Sequence, residues 1–291
     1  MSDFQILSHC AVVALSTSSL DLLPTPHDPI LHILPLYVHF DKDIFTDGAE
    51  LDSQQFYQRL AANPHAQVGT SPPTEADVLA LLNKLEAEGY QEVIVTTLSH
   101  SLSDTADIIR QAVVESNCHL RVYLVDTGSV CMPEGFFALE AVRLLHEGMM
   151  PEDIVYYLER LKTQVEILFS VHSLEYLHQN GRLSRAGQIV ADWLHLKPIL
   201  RFHNGVLSRM SIAHGSEKTF DTLIKHAAAK LAEGQILRVY GLYGGNLELY
   251  KQFAIKFQQK TGVGLTGYPI SPVVGAHIGP NAIGVGIIEK T

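Results

Sequence analysis

The stretch Glu92-Val93-Ile94-Val95-Thr96-Thr97-Leu98 runs directly into the polar loop Ser99-His100-Ser101-Leu102-Ser103 and then into a helical pattern over Asp104–Glu115. The uninterrupted apolar run Val93-Ile94-Val95 is typical of a strand that is buried on both faces of its sheet. A buried strand that is followed by a loop and a helix is the repeating unit of α/β proteins with parallel sheets. The stretch therefore predicts an α/β fold.

The same alternation extends through the first half of the chain. Helix 74–88 shows it clearly, because Thr74 and Asp77 form a capping-box pattern and Gly89 supplies a stop. The other expected elements are the strands Ala11–Leu15, Leu31–Tyr37, Glu92–Leu98 and Arg121–Asp126 and the helices Ser53–Ala62, Asp104–Glu115 and Gly135–His146. We predict an N-terminal parallel-sheet α/β/α domain over residues 1–150.

A break at Gly148-Met149-Met150-Pro151-Glu152 marks the predicted domain boundary, because Gly commonly ends helices and Pro commonly starts them. Beyond it, the predicted strands Ile199–Phe202 and Val206–Ile212 flank His203-Asn204-Gly205, which is a strong hairpin signal. Further strands are expected at Ile167–Val171, Ile236–Tyr240 and Ala282–Ile288, and helices at Glu217–Ala232 and Leu247–Lys260. These elements predict a second α/β domain over residues 151–291 with a mixed or antiparallel sheet.

Composition narrows the class of protein. The 21 basic and 31 acidic residues give a net charge of 21 − 31 = −10 without a basic cluster, which argues against nucleic acid and anionic membranes as partners. The three cysteines lack C-x-x-C spacing, and the 15 histidines spell no H-E-x-x-H motif, so no disulfide framework or metal site is predicted. No apolar run reaches the ~18 residues of a membrane span. The sequence predicts a soluble cytoplasmic protein.

Three polar segments interrupt the apolar pattern where strands are expected to end: residues 70–73, 98–105 and 275–282. Such loops at the carboxyl ends of strands usually hold the ligand of an open α/β sheet. Their candidate binding groups are the hydroxyls of Thr70, Ser71, Ser99 and Ser103 and the imidazole of His277. Hydroxyls, backbone N–H groups and an imidazole suit a carboxylate or a phosphate, so the segments indicate binding before catalysis.

Several of these candidate residues also have a simpler explanation than ligand binding. Ser103 is placed to cap the following helix, and Thr70 stands in an ordinary Thr-Ser-Pro-Pro turn. Glycines near His277 indicate a loop, not a helix interior. Ser99 and His277 as a hydrolase pair would need a nucleophile elbow and an orienting acid, and neither is evident.

Seven motifs in order resemble the DegV family of fatty-acid-binding proteins, whose pattern includes Thr-Ser-Gln-Pro, Ile-Ser-Ser-x-Leu-Ser-Gly-Thr and Gly-x-His-x-Gly-Pro-Gly-Ala. Besides the three polar segments, the matches are residues 15–17, 125–129, 177–184 and 197–200. Together they cover nearly the whole chain. This sequence departs from the family pattern at Leu15, Pro72, His100, Asp104 and Asn281. The chain is therefore identified as a divergent member.

The resemblance implies a two-domain fold that holds a long-chain fatty acid between its domains and presents the carboxylate to a fatty acid kinase. It implies a carrier for phospholipid synthesis, without enzymatic activity or cofactor. Thr70, Ser71, Ser99, Ser103 and His277 would contact the ligand, and the nearby carboxylate would favour the protonated form of His277.

Two arginines, Arg182 and Arg209, would face the kinase. Two alternatives remain at this point: an enzyme acting on a small carboxylate or a phosphate ester, and a regulatory protein that senses a lipid.

Overall fold

A four-stranded parallel sheet forms the centre of the N-terminal half. The computed structural model describes residues 9–23, 28–183, 198–213 and 215–290. In spatial order the strands are β2 (Leu31–Leu34), β1 (Cys10–Leu15), β6 (Glu92–Thr97) and β7 (Arg121–Asp126). The predicted parallel sheet is confirmed.

Helices cover both faces of this sheet. One face packs against α2 (Glu75–Ala87) and α3 (Thr105–Glu115), and the other packs against α4 (Met132–His146) and α5 (Pro151–Leu161). In β1, Ala11 and Val13 belong to the core on the first face, whereas Val12 and Ala14 belong to the core on the second. Because successive side chains of a strand point to opposite faces, a strand buried on both faces must be apolar throughout.

A small antiparallel sheet lies beside the parallel one and was not expected from the sequence. Its strands are, in spatial order, β4 (Asp43–Thr46), β3 (Tyr37–Phe40) and β5 (Val68–Ser71), and α1 (Ser53–Ala62) packs near it. The prediction of one strand over Leu31–Tyr37 is wrong, because the segment divides at Pro35 into β2 and β3. Proline lacks the N–H that a ladder needs and fixes φ, so it interrupts the strand.

The C-terminal half is built on a six-stranded mixed sheet, as predicted. In spatial order its strands are β10 (Val206–Ile212), β9 (Pro198–His203), β8 (Val165–Ser170), β13 (Ile283–Glu289), β11 (Ile236–Tyr243) and β12 (Gly267–Pro269), of which only the β11–β12 pair is parallel among the described strands. One face contacts the core around α4, and the other packs against α7 (Ser216–Ala232) and α8 (Leu247–Thr261). Of two short helices, α6 (Glu175–Gln179) and α9 (Pro272–Ile278), α9 packs against α1, β3 and β5 of the N-terminal half and against α6.

Helix α4 joins the two halves, since it contacts β1 and β6 on one side and β8, β11 and β13 on the other. Helix α5, which begins after the predicted boundary at residue 150, packs on β6 and β7 of the parallel sheet. One core therefore continues from one half to the other. The boundary at 150 stays a prediction.

None of the helices in the part of the chain that the structure describes has the length and apolar character needed to cross a membrane. Ser184 and Lys197, which belong to two of the motifs quoted above, lie outside the described residues.

Candidate functional site

An apolar cavity lies between the carboxyl end of the parallel sheet and one face of the six-stranded sheet. The space within it measures about 850 Å³, a figure that includes open solvent at its mouth. Both halves of the chain supply its apolar lining: Leu36, Leu98, Leu102, Val130, Ile167, Phe169, Leu177, Phe202, Leu207, Leu242, Ile270, Val273, Val274, Ile278 and Ala282. Such a lining suits an occupant that is itself largely apolar.

The polar residues of the lining are Thr70, Ser103, Arg182 and His277, and Cys131 contributes a thiol. Thr70 Oγ1 lies 2.8 Å from His277 Nε2. Arg182 Nε donates to the carbonyl oxygen of Leu102 at 3.2 Å, directly before Ser103. The structure therefore gathers two hydroxyls, an imidazole and a guanidinium on an otherwise apolar wall.

His277 stands in the last turn of α9, so the expectation that it occupies a loop is wrong. The helix begins at Ser271, whose hydroxyl accepts from Val274 N at 3.5 Å, and Pro272 occupies the first helical position. A Ser-Pro pair of this kind is an ordinary helix start. That signal was present in the sequence, but the glycines at 275 and 279 concealed it.

The prediction that a bound carboxylate favours protonated His277 concerns the complex and stays a prediction, whereas the protein without ligand disfavours the protonated form. Burial, and next the positive charge of Arg182, lowers the pKa of His277 to about 3. The imidazole is therefore neutral at physiological pH. Its Nδ1 is buried and has no hydrogen-bond partner among the described residues, so the ring keeps one polar atom for an occupant of the cavity.

Thr70 and Ser71 face opposite ways because they are neighbours on β5. Thr70 lines the cavity, whereas Ser71 Oγ lies 2.8 Å from His39 Nε2 on the adjacent strand β3. Only the first of these two predicted binding hydroxyls reaches the cavity.

Ser103 lines the cavity and Ser99 does not. The Ser103 hydroxyl also accepts from Thr105 N at 3.3 Å, which supports the first turn of α3. Ser99 is 2 % exposed, and its Oγ lies 2.9 Å from Ser101 Oγ, beside the turn between β9 and β10. The hydrolase pair of Ser99 and His277 is therefore absent from this geometry, since each side chain has a different partner.

Arg182 was expected to face a partner protein, but its side chain lies in the cavity wall. Besides the bond to Leu102, its Nη1 donates to the carbonyl oxygen of Asn180 at 2.7 Å. Arg209 is exposed on β10, an edge strand of the six-stranded sheet. No pattern in the sequence indicated that Arg182 would line the cavity.

Three exposed side chains at the start of α3 have ligand atoms within 4.8 Å of one another: His100, Asp104 and Asp107. Two of them, His100 and Asp104, are departures from the family pattern. Asp107 already pairs with Arg110 at 2.5 Å, and a helix start disfavours a cation. Both observations argue against a metal ion at these three side chains.

Asp47 connects the small sheet to the helix that carries His277. It is 2 % exposed, and its Oδ1 accepts from Val273 N at 3.3 Å, in the first turn of α9. Burial, reinforced by the negative charge of Asp21, raises the pKa of Asp47 to about 7. The sequence showed no pattern from which this contact could be predicted.

We expect Asp47→Asn to change how stability depends on pH. An unfolded Asp releases its proton near pH 3.9, whereas folded Asp47 retains it up to pH about 7. This residue therefore contributes stability at low pH that is lost as pH rises from about 4 through about 7. The amide keeps an acceptor for Val273 but cannot ionise, so the variant should gain stability relative to the native protein between pH 5 and pH 8.

Urea unfolding of the native protein and of Asp47→Asn, at the two pH values just given, measures the difference in their free energies of unfolding. His277 acts in the opposite direction, because its depressed pKa makes stability fall as pH drops below about 6.5, but it is common to both proteins and cancels. A difference in unfolding free energy that is identical at both pH values would contradict the assignment.

The fold and the cavity define a class: an α/β protein with two sheets that enclose an apolar chamber with a few polar groups in its wall. The family model described as "Uncharacterised protein, DegV family" matches residues 10–290. The chain belongs to the DegV family.

Relatives and solved structures agree with this assignment. A DegV domain-containing protein of Halalkalibacterium halodurans is 28% identical over 262 residues, covering 89% of this chain and 91% of the relative. The crystal structure of DegV, a fatty acid binding protein from Bacillus subtilis, has a TM-score of 0.83 at 26% identity, covering 97% of this chain and 99% of that one.

A DegV family protein from Thermus thermophilus, described for its fatty acid binding, has a TM-score of 0.81 at 27% identity, with 97% and 99% coverage. The structural neighbours of this chain are thus fatty-acid-binding DegV proteins.

Proposed function

We propose that this protein binds one long-chain fatty acid in its cavity, with the carboxylate at Thr70, Arg182 and His277. The observation that carries the proposal is an apolar chamber whose wall holds these three polar residues. Two structural neighbours, from Bacillus subtilis and Thermus thermophilus, are described as binding fatty acids, which supports the proposal.

The expected binding free energy has two parts, one from the acyl tail and one from the carboxylate head. Burying each methylene is worth about 0.8 kcal/mol, so ~14 methylenes supply roughly 11 kcal/mol before the costs of association. Hydrogen bonds to a charged carboxylate add about 1.5–3 kcal/mol each. The apolar wall therefore supplies most of the affinity, and the polar residues fix the orientation.

Each head residue has a separate role in this proposal. Arg182 supplies the positive charge that balances the carboxylate, and Thr70 donates its one hydroxyl proton to His277 Nε2, which fixes the tautomer of the ring. Neutral His277 then carries its proton on Nδ1 and donates it to the carboxylate, so that both ring nitrogens have a partner. Ser103 also lines the cavity, whereas Ser71, which bonds to His39, and Ser99, which bonds to Ser101, do not touch the ligand.

Native mass spectrometry and lipid extraction of the purified protein test the proposal. We expect one added mass per chain that corresponds to a long-chain fatty acid, or uptake of one equivalent of added palmitate. A protein that is empty and does not take up palmitate or oleate would contradict it.

We further propose that the protein acts as a carrier that presents the bound acid to a fatty acid kinase, without chemistry or cofactor of its own. A catalytic role for the Thr70–His277 pair would need a third group to orient the ring, and Nδ1 has none among the described residues. Leu207 of β10 lines the cavity and Arg209 is exposed two residues later, so a partner on this edge strand would lie close to the bound lipid.

Arg209→Glu should separate carrying from presentation. The variant should retain palmitate, because residue 209 is outside the cavity wall, and should lose at least about tenfold in ATP-dependent formation of acyl phosphate with the kinase, because reversing a rim charge weakens association. Lys218→Glu, an exposed charge reversal on α7, serves as the control. Full activity of the Arg209 variant would remove this residue from the interface, and failure of the native protein with any kinase would favour a lipid sensor.

A further inference from the structure

One residue outside the cavity wall contacts the segments that carry all three residues proposed to hold the carboxylate. Asn180 follows α6 directly and is half-buried, and it is not part of the cavity lining. It lies against the last turn of α9, against the residue before Thr70 on β5, and against the Arg182 side chain. A residue in this place can orient the carboxylate site without touching the ligand.

The Asn180 side chain completes the end of the helix that carries His277. Asn180 Nδ2 donates to the carbonyl oxygen of Ala276, the residue before His277, at 3.1 Å. Within a longer helix this carbonyl would accept from the N–H four residues further on. That residue is Pro280, which has no N–H. Asn180 therefore supplies a donor that the backbone of α9 cannot supply.

The second amide proton fixes Asn180 to its own helix. Asn180 Nδ2 also donates to the carbonyl oxygen of Tyr176 at 3.1 Å, so both protons of the amide are used. The amide oxygen lies on the side of β5, because a Cβ at Gly69 would lie 3.6 Å from Asn180 Oδ1. Gly69 directly precedes Thr70, so the amide connects α6, α9 and the strand whose hydroxyl meets His277.

The backbone of Asn180 holds the guanidinium of Arg182. The carbonyl oxygen of Asn180 accepts from Arg182 Nη1 at 2.7 Å, and Arg182 Nε donates to the carbonyl oxygen of Leu102 at 3.2 Å. Because the guanidinium is planar and its donors have a fixed arrangement, two such bonds determine its orientation. A displacement of Asn180 would therefore move Arg182 and His277 together.

We propose that Asn180 is a positioning residue, which holds the imidazole of His277 and the guanidinium of Arg182 in the arrangement that receives the carboxylate. The inference rests on the proposed function, since Asn180 acts on the ligand only through these two residues. Groups that bind a ligand must be held close to the productive geometry by the residues around them, and hydrogen bonds from neighbouring side chains do this.

The ¹⁵N spectrum of the His277 imidazole at pH 7 tests this positioning without any lipid. A ring nitrogen that carries a proton resonates far upfield of one that does not. Because Thr70 donates to Nε2, the native protein should show one protonated nitrogen, Nδ1, and one unprotonated nitrogen, Nε2. In Asn180→Ala the two resonances should move toward each other, since a ring that is no longer held against Thr70 exchanges between tautomers. Gln179→Ala, which removes a neighbouring exposed side chain, is the matched control and should leave both resonances unchanged.

Titrations with palmitate and hexadecanol measure the consequence for the ligand. Asn180→Ala should weaken the binding of palmitate about tenfold and change the binding of hexadecanol less than about twofold, because the alcohol has no carboxylate to be held. Gln179→Ala should bind both ligands as the native protein does. Asn180→Ser retains one donor on a shorter side chain and should give an intermediate result, so it replaces the alanine variant if that variant does not fold.

Three results would overturn the inference. They are unchanged His277 resonances in the folded Asn180 variant, two tautomers already present in the native protein, and an equal loss of both ligands, which would mean that Asn180 only supports the wall. A native protein that binds neither ligand would contradict the proposed function instead. The His277 spectrum would then still decide whether Asn180 holds the ring.

Discussion

Leu207→Trp should fold but lose affinity for long-chain fatty acids by at least about a hundredfold. Leu207 is 2 % exposed, and its side chain projects from β10 into the cavity wall. The larger indole would occupy space that the acyl chain needs. Displacing about four methylenes at roughly 0.8 kcal/mol each removes about 3 kcal/mol, which is more than a hundredfold in Kd.

Competition between palmitate and a fluorescent fatty acid measures this loss. Ile255→Trp is the matched control, because Ile255 is 58% exposed on α8 and the same substitution there adds an indole outside the cavity. Thermal unfolding of both variants shows whether the cavity accommodates the ring. A folded Leu207 variant with native affinity would show that the ligand lies elsewhere.

Arg182→Gln should weaken the binding of palmitate about tenfold to a hundredfold and leave the binding of hexadecanol nearly unchanged. The expected loss corresponds to one charge-assisted hydrogen bond of about 1.5–3 kcal/mol. The alcohol has the same tail but no charge, so it isolates the contribution of the head group. Paired titrations of the two ligands with the native protein and the variant provide the measurement.

The variant Arg182→Lys separates the loss of charge from the loss of wall contacts. Lysine retains the charge but cannot reproduce both hydrogen bonds to the carbonyl oxygens of Leu102 and Asn180. The lysine variant should retain a preference for the acid over the alcohol. If glutamine weakened both ligands equally, Arg182 would only support the wall, and His277, oriented by Thr70, would hold the carboxylate without it.

Elements with strong local signals could be predicted from the sequence. Helix α2 begins at a capping box formed by Thr74 and Asp77 as expected, and the turn at Asn204-Gly205 joins β9 to β10 with both residues at positive φ. Both features depend on neighbours in the chain, and local chemistry is sufficient to specify them.

Features that depend on distant contacts could not be predicted. Thr70 and His277 are 207 positions apart, and their hydrogen bond needs β5 and α9 to meet. Family resemblance suggested both residues, but only the geometry shows that burial keeps the imidazole neutral. The resemblance assigned Arg182 to a partner surface, and no pattern singled out Asp47, because the roles of both residues come from burial beside elements far along the chain.

A crystal structure of the palmitate complex tests the central claim most directly. We predict one acyl chain that runs between the two sheets past Leu98 and Phe202, with its carboxylate within hydrogen-bond distance, about 3 Å, of His277 Nδ1 and Arg182. An empty cavity in crystals of protein with stoichiometric palmitate, or a carboxylate located away from Thr70, Arg182 and His277, would contradict the account.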